Sequence, residues 1–235
     1  MKLAEQYATS ANLAARIALH QRCSTNPYGL QRWVFDRLQL ESGQRVLEVG
    51  CGTRSLWREN EDRIPEGLEL ILTDFSVAMR PDVVCALPEL PFADDAFDVV
   101  IANHMLYHVD DREGGLRDIR RVLRRGGLFF ASTNGRDHLR EIKELVPGSA
   151  EVSASFTLEN GEEQVRRVFP NVRRDDYPDS LRVTDPELLI AYIASIAPGT
   201  GEGACPTRGA IEERIARDGA MTITKSTGAF FARCE

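Results

Sequence analysis

Cysteine is scarce and poorly spaced. The five in 235 residues are Cys23, Cys51, Cys85, Cys205 and Cys234, an odd number with no C-x-x-C pair. That pattern argues against both a disulfide framework and a structural zinc site, and a reducing, cytoplasmic setting is the expectation. Long apolar runs are missing as well. None approaches the ~20 residues of a membrane span, and Met1 to Ala15 lacks the apolar block of a secretory leader. Positive charge is in deficit: 29 Lys and Arg stand against 36 Asp and Glu, a net −7. The chain has no overall basic footprint for nucleic acid. Its basic run, Arg117, Arg120, Arg121, Arg124 and Arg125, is interleaved with Glu113 and Asp118, as on a solvated helix face. What is present is a globular balance, 43% apolar and 28% charged, in a length that suits a single α/β domain over 1–235.

The first forty residues read as helical. Asn26-Pro27 looks like a helix start, an N-cap followed by proline at the first helical position, and Leu30, Trp33, Val34 and Leu38 share one face. Beyond Ser42-Gly43 the chain alternates strands and helices. Strands are expected at Val46–Val49, Leu68–Thr73, Val83–Cys85, Phe97–Ala102 and Leu128–Ser132. A helix is expected over Arg112–Arg125, stopped by Gly126-Gly127. Such repeated strand–helix–strand units imply a parallel sheet with helices on both faces. Leu158–Phe169, Asp185–Ile196 and Ile211–Arg217 also read as helices, and Met221–Ala232 as one closing strand.

In an open α/β sheet, ligands gather at the carboxyl ends of the strands. Glu48-Val49-Gly50-Cys51-Gly52-Thr53-Arg54 follows the first strand and Asp74-Phe75-Ser76 the second. Ala86-Leu87 follows the third, Asn103-His104-Met105-Leu106-Tyr107-His108 the fourth, and Thr133-Asn134-Gly135 the fifth. Gly50 and Gly52 let backbone approach a ligand with no Cβ in the way. Asp74 can accept from both hydroxyls of a ribose, and Phe75 offers an apolar wall for a purine. Ser55 stands where G-x-G-x-x-G needs its last glycine, so the dinucleotide reading is weak, and no P-loop ending follows. Cys51 reads as packing. His104 and His108 are four apart with no acid between them, so no metalloprotease pattern forms and no metal is expected. Either histidine can serve as a general base. Tyr107 lines an acceptor pocket or the core. Tyr177 offers an aromatic face to a cation, or lies in a surface turn.

Four stretches, VLEVGCGT, LILTDFS, LPFADDAFDVVIANHMLYHV and IRRVLRRGGLFFASTNG, resemble in order and spacing the class I S-adenosylmethionine (SAM) dependent methyltransferases. The likeness is to the small-molecule type, similar to the ubiquinone/menaquinone-biosynthesis enzymes, and MTITKSTGAFFARC resembles the family's last, antiparallel strand. The resemblance implies a Rossmann-like, seven-stranded, mostly parallel sheet with helices on both faces and N-terminal lid helices over 1–41. It implies SAM as methyl donor. Glu48, Gly50 and Gly52 would line its methionine and ribose, Asp74 would bind its ribose hydroxyls, Phe75, Ala86 and Leu87 would meet its adenine, and Cys51 and Ser76 would belong to the same cofactor site. Asn103 and His104 would lie beside the sulfonium, with Tyr7 and Tyr28 in the lid. His104, Tyr107, Asn134 and Tyr177 are the candidate catalytic residues. Two departures stand out. Arg54 replaces the family's third glycine, where it can bind the methionine carboxylate or point to solvent. Ala86 replaces an acid that accepts from the adenine amino group, a hydrogen bond worth roughly 1 kcal/mol net.

The expected activity is methyl transfer to a small-molecule acceptor in specialised metabolism, with 151–209 shaping acceptor choice, by a monomer or homodimer that needs neither nucleic acid nor membrane. Fold alone does not fix chemistry, and two alternatives stay open. One is a methyltransferase-like enzyme that cyclises SAM to azetidine-2-carboxylate and methylthioadenosine. The other is a SAM-binding protein without catalysis.

Overall fold

The computed structural model describes residues 10–146, 154–196 and 208–235. They group into two compact units. One holds the described residues of Tyr28–Arg136, Val152–Tyr177 and Thr227–Glu235; the other holds those of Met1–Pro27, Asp137–Glu151 and Pro178–Ser226. The boundary at Pro27 falls inside the segment 1–41.

The first unit is built on a seven-stranded sheet. Its strands are β1 (Arg45–Val49), β2 (Glu69–Asp74), β3 (Val83–Val84), β4 (Phe97–Asn103), β5 (Leu123–Asn134), β6 (Val172–Tyr177) and, beyond two strands of the other unit, β9 (Thr227–Arg233). The order is β3-β2-β1-β4-β5-β9-β6. The pairs from β3 to β5 are parallel, and β9 runs antiparallel to both neighbours. Alternation along each strand fills two cores, as the period of two requires. Leu47, Val49, Val100, Ala102, Phe129, Ala131 and Phe230 belong to one; Val46, Val99, Ile101, Phe130, Ala229 and Phe231 belong to the other. Helix α4 (Arg112–Val122) covers the first face with Leu116, Ile119 and Val122, alongside Val165 of α6 (Gly161–Arg166). Helix α2 (Leu30–Leu38) covers the second with Trp33, Val34, Phe35 and Leu38, beside Leu56 and Trp57 of the short α3 (Ser55–Arg58).

Several boundaries differ from the sequence reading. Helix α2 starts at Leu30 rather than at Pro27, because Gly29, at φ 85°, turns the chain just ahead of it. Helix α4, capped by the Asp111 carboxylate on the Gly114 N–H at 2.9 Å, ends at Val122. Leu123 is fully buried and already pairs with Phe97, so the strand begins before the glycines, which lie within it at a register shift. The stretch 158–169 is helical only over Gly161–Arg166. β6, V-R-R-D-D-Y, is not among the strands that the sequence predicts. It is the sheet edge, and its charges, including the Arg174–Asp176 pair at 2.6 Å, are what a protected edge carries.

The second unit contains α1 (Ser10–Cys23), α5 (Arg140–Leu145), α7 (Pro186–Ile196), α8 (Arg208–Asp218) and an antiparallel pair, β7 (Ser180–Val183) with β8 (Met221–Thr224). Leu19, Ile142, Leu181, Leu189, Ile193, Ile211 and Ile223 form its core. The expected single closing strand, Met221–Ala232, is therefore two: β8 pairs with β7 here, while β9 belongs to the sheet. The break falls at Lys225, whose ammonium is drawn inward to the buried Asp179.

Candidate functional site

The parallel strands deliver their carboxyl ends to one edge of the sheet. After β1, Gly50 takes φ 70° and lies so close to Met105 that a Cβ there would fall 2.9 Å from the methionine's own. Gly52 also has a left-handed φ, 49°, but a Cβ there would meet nothing within 4 Å. One glycine is needed for packing; the other faces open space.

Asp74 ends β2 almost buried, at 5% exposure. One carboxylate oxygen accepts the Gly52 N–H at 3.0 Å and the other the Ser76 N–H at 2.9 Å. Each oxygen has a second lone pair, so two adjacent acceptor positions remain for a vicinal diol. Phe75, beside it, is 57% exposed, a bare aromatic face. Ala86 is exposed, with its carbonyl taken by the Glu89 N–H, and Leu87 is partly buried against the core.

Glu48 lies beneath the glycine turn at 2% exposure and accepts from Trp57 Nε1 at 2.5 Å. Burial lifts its pKa to about 8, against the pull of the Trp57 hydrogen bond. Burial also pushes the Cys51 thiol up to about 12, which makes it a packing group. Arg54 takes φ 59°, the left-handed conformation a glycine would favour. Its guanidinium donates to the Arg80 carbonyl and stands 3.9 Å from Asp82.

At the end of β4, the Asn103 amide donates to Gln31 Oε1 at 3.4 Å and accepts from the Ser132 hydroxyl at 2.5 Å. His104, half-buried at φ 53°, is held by its N–H on Ser132 Oγ at 3.0 Å. The Tyr107 ring meets His108 at 4.5 Å. Burial holds the His108 pKa below its usual value, so this imidazole is neutral near pH 7. Asn134, at the end of β5, accepts from the Thr227 hydroxyl at 2.9 Å. Thr227 is also the register partner of Tyr177. Asn134, Thr227 and Tyr177 thus stand side by side across β5, β9 and β6. Tyr177 is buried at 3% exposure with its ring edge-on to Trp33, not in a surface turn.

Tyr28 is exposed and donates to Asp36 at 2.5 Å; Tyr7 lies outside the described residues. Sequence reading did not single out Gln31, Trp57, Ser132 or Thr227. Only Ser132 and Thr227 carried a signal, as polar residues in otherwise apolar strands. Among the described residues no cluster of His, Cys, Asp and Glu could hold a metal ion.

A glycine turn after β1 and a carboxylate after β2 that accepts one N–H on each oxygen lie together at one edge of the sheet. Residues 47–131, which carry both, match the methyltransferase domain family. That stretch is a methyltransferase domain. The chain is similar to the methyltransferase GfsG of Streptomyces halstedii, with 26% identity over 84% of this chain and 73% of that one. It is similar to the demethylmenaquinone methyltransferase of Renibacterium salmoninarum, with 34% identity over 43% of this chain and 46% of that one. The chain thus spans about half the length of that second relative. The solved phosphoethanolamine N-methyltransferase 2 of Haemonchus contortus, in complex with S-adenosyl-L-methionine, has the same fold: TM-score 0.61 at 18% identity, over 98% of this chain and 58% of that one. No described helix is long and apolar enough to cross a membrane.

Proposed function

We propose that this methyltransferase binds SAM at the β1–β2 edge and methylates a small-molecule acceptor of specialised metabolism. One observation carries the reading. Asp74 is buried and accepts one backbone N–H on each carboxylate oxygen, which leaves each a second lone pair, next to a glycine with open space where a side chain would be. Gly50 and Gly52 would bring backbone to the methionine moiety, and Phe75 and Leu87 would wall the adenine. When bound, SAM supplies an electrophilic methyl group. The protein's task is then to align the nucleophile and exclude water. Asn103, fixed between Gln31 and Ser132, would orient the reacting end, and neutral His108 or His104 would take the acceptor's proton. Asn134, Thr227 and Tyr177 would face the acceptor, and 151–209 would shape its choice. The net charge of −7 suits a small acceptor better than nucleic acid. The four described cysteines, Cys23, Cys51, Cys85 and Cys234, are free thiols, in keeping with a cytoplasmic monomer or homodimer.

A second reading makes SAM the sole substrate and gives Tyr177 and Asn134 to its sulfonium. Aromatic and amide groups can stabilise a sulfonium held for attack by its own α-amine. Nitrogen then bonds to the γ-carbon, the Cγ–S bond breaks, the ammonium loses a proton, and azetidine-2-carboxylate and methylthioadenosine leave. Mass spectrometry of purified protein with SAM alone separates the readings. Unconsumed, protein-bound SAM, followed by S-adenosylhomocysteine in an acceptor screen, supports methyl transfer. Methylthioadenosine above background overturns it in favour of cyclisation. Bound SAM with no turnover across the screen leaves a binding protein.

A further inference from the structure

Arg54 and the loop after β2 are both unusual, and the structure connects them. Residues 75–82 join β2 to β3 with one short turn of 3-10 helix, Val77–Met79, and no longer helix. The loop's far end is tied to the sheet by Asp82, whose carboxylate accepts the Leu72 N–H at 2.8 Å while its own N–H donates to the Leu72 carbonyl at 2.8 Å. Arg80 takes φ 52°, so the turn closes on a second non-glycine residue in left-handed backbone. Arg54 reaches this loop from the glycine turn of β1: its guanidinium donates to the Arg80 carbonyl and pairs with Asp82 at 3.9 Å. The same two segments are already joined through Asp74, which accepts from Gly52 on one side and Ser76 on the other. The glycine turn and the 75–82 loop are therefore linked twice, once through Asp74 and once through Arg54.

We infer that Arg54 is a positioning residue for the nucleoside half of the ligand. It holds the 75–82 loop, which carries Phe75, against the glycine turn, in place of the order a longer helix would give. Only an extended side chain at this position can make the link, which accounts for an arginine in a conformation that costs it strain. The guanidinium acts on the protein's own loop and not on the ligand's carboxylate. The inference rests on the donor-site reading above, and its test separates the two.

Binding is measured by calorimetry for wild type, Arg54→Gly and Asp82→Asn, with two probes: S-adenosylhomocysteine, which has the amino-acid carboxylate, and methylthioadenosine, which lacks it. A nucleoside-positioning role predicts that Arg54→Gly weakens both probes by a similar factor, about tenfold for one lost charge-assisted link. Asp82→Asn, which keeps an acceptor for Leu72, should weaken both in the same direction by less. Melting temperatures are followed in parallel, and glycine fits φ 59° without strain, so lost affinity at an undiminished melting temperature is not unfolding. If Arg54→Gly weakens S-adenosylhomocysteine alone, Arg54 is a carboxylate ligand and the inference is overturned. Unchanged affinity for both probes overturns it as well. If the wild type binds neither probe, the donor-site reading itself fails, and the inference with it.

Discussion

Glu48→Gln should remove most of the pH dependence of stability between pH 5 and pH 8. Glu48 is buried beneath the glycine turn, and burial lifts its pKa from 4.5 to about 8, with Trp57 pulling down and Asp74 pushing up. In that interval the folded protein holds a proton that the unfolded chain releases. Stability is thus fully present below pH 4.5 and is lost as the pH rises through the folded value of about 8. From 4.5 to about 8, at about 1.4 kcal/mol per pH unit, the loss amounts to at most roughly 5 kcal/mol. Glutamine has the same shape, never ionises, and still offers an oxygen to Trp57 Nε1, which Glu48 meets at 2.5 Å. Wild type and variant should be equally stable near pH 4.5, and the variant should become the more stable one toward pH 8. His108 runs the other way, its pKa depressed by burial, but it is common to both proteins and cancels. Urea titrations followed by circular dichroism at half-unit steps from pH 5 to 8.5 measure the difference. Parallel curves for the two proteins would refute the reasoning, because they would mean that Glu48 is ionised in the folded state across the range.

Asp179 should be the most sensitive polar position of the smaller unit. It pairs with Lys225, at 0% and 8% side-chain exposure, and accepts from the Ser24 hydroxyl and from the Asn26 and Ser180 N–H groups at 2.8–3.0 Å. Asp179→Ala removes the buried carboxylate from the Lys225 ammonium and from its hydroxyl and N–H donors, and should cost about 3–5 kcal/mol in thermal or urea unfolding; a loss below about 1 kcal/mol would show that the pair is dispensable. Burial opposes ionisation of this carboxyl, but Lys225 and Ser24 outweigh it and hold its pKa below the usual value, so its contribution is complete at neutral pH and disappears only in strong acid. Asp74→Asn should keep the fold, since the amide oxygen can still accept one backbone N–H. Adenosine-bearing ligands should bind roughly 10- to 100-fold more weakly, from about 1.5–3 kcal/mol of lost charged hydrogen bonding. Calorimetry reads this, and unaltered affinity would remove Asp74 from the site. Arg54→Gly, apart from its effect on binding, should change stability by less than about 1 kcal/mol, because relief of left-handed strain and the added freedom of the unfolded chain nearly cancel.

The sheet was legible because its strands are short apolar runs ending in recognisable turns. Val46–Val49, Phe97–Ala102 and Leu128–Ser132 are buried on both faces, and their alternation sorts into the two observed cores. β6 was not legible because an edge strand need not be apolar: Arg173, Arg174, Asp175 and Asp176 leave Tyr177 as its one buried residue. The division of 221–233 into β8 and β9 was hidden for another reason. Both halves alternate alike, and what parts them is the distant Asp179, far from Lys225 in sequence. Helix α4 ends three residues short of its predicted end: Leu123-Arg124-Arg125 suits a helix locally, and only the partner Phe97 makes it a strand.

The donor half of the candidate site lay in contiguous motifs, since a turn after one strand and an acid after the next put Gly50, Gly52 and Asp74 within a few residues of their strand ends. The other half is assembled across strands. Asn103 is fixed by Ser132 and Gln31, Asn134 by Thr227, and Glu48 by Trp57, and each partner comes from a different element. This division follows from the topology. β1 and β2 adjoin in parallel, so their ends can serve one ligand through short local sequences. β5, β9 and β6 lie next to one another only because the chain leaves the sheet after β6 and returns antiparallel at β9. Residues on that side can change with little consequence for the hydrogen bonds that hold Asp74 to Gly52 and Ser76. A fold of this kind can keep one donor while its acceptor changes, and under the proposed function Asn134, Thr227 and Tyr177 are the residues that would decide the acceptor.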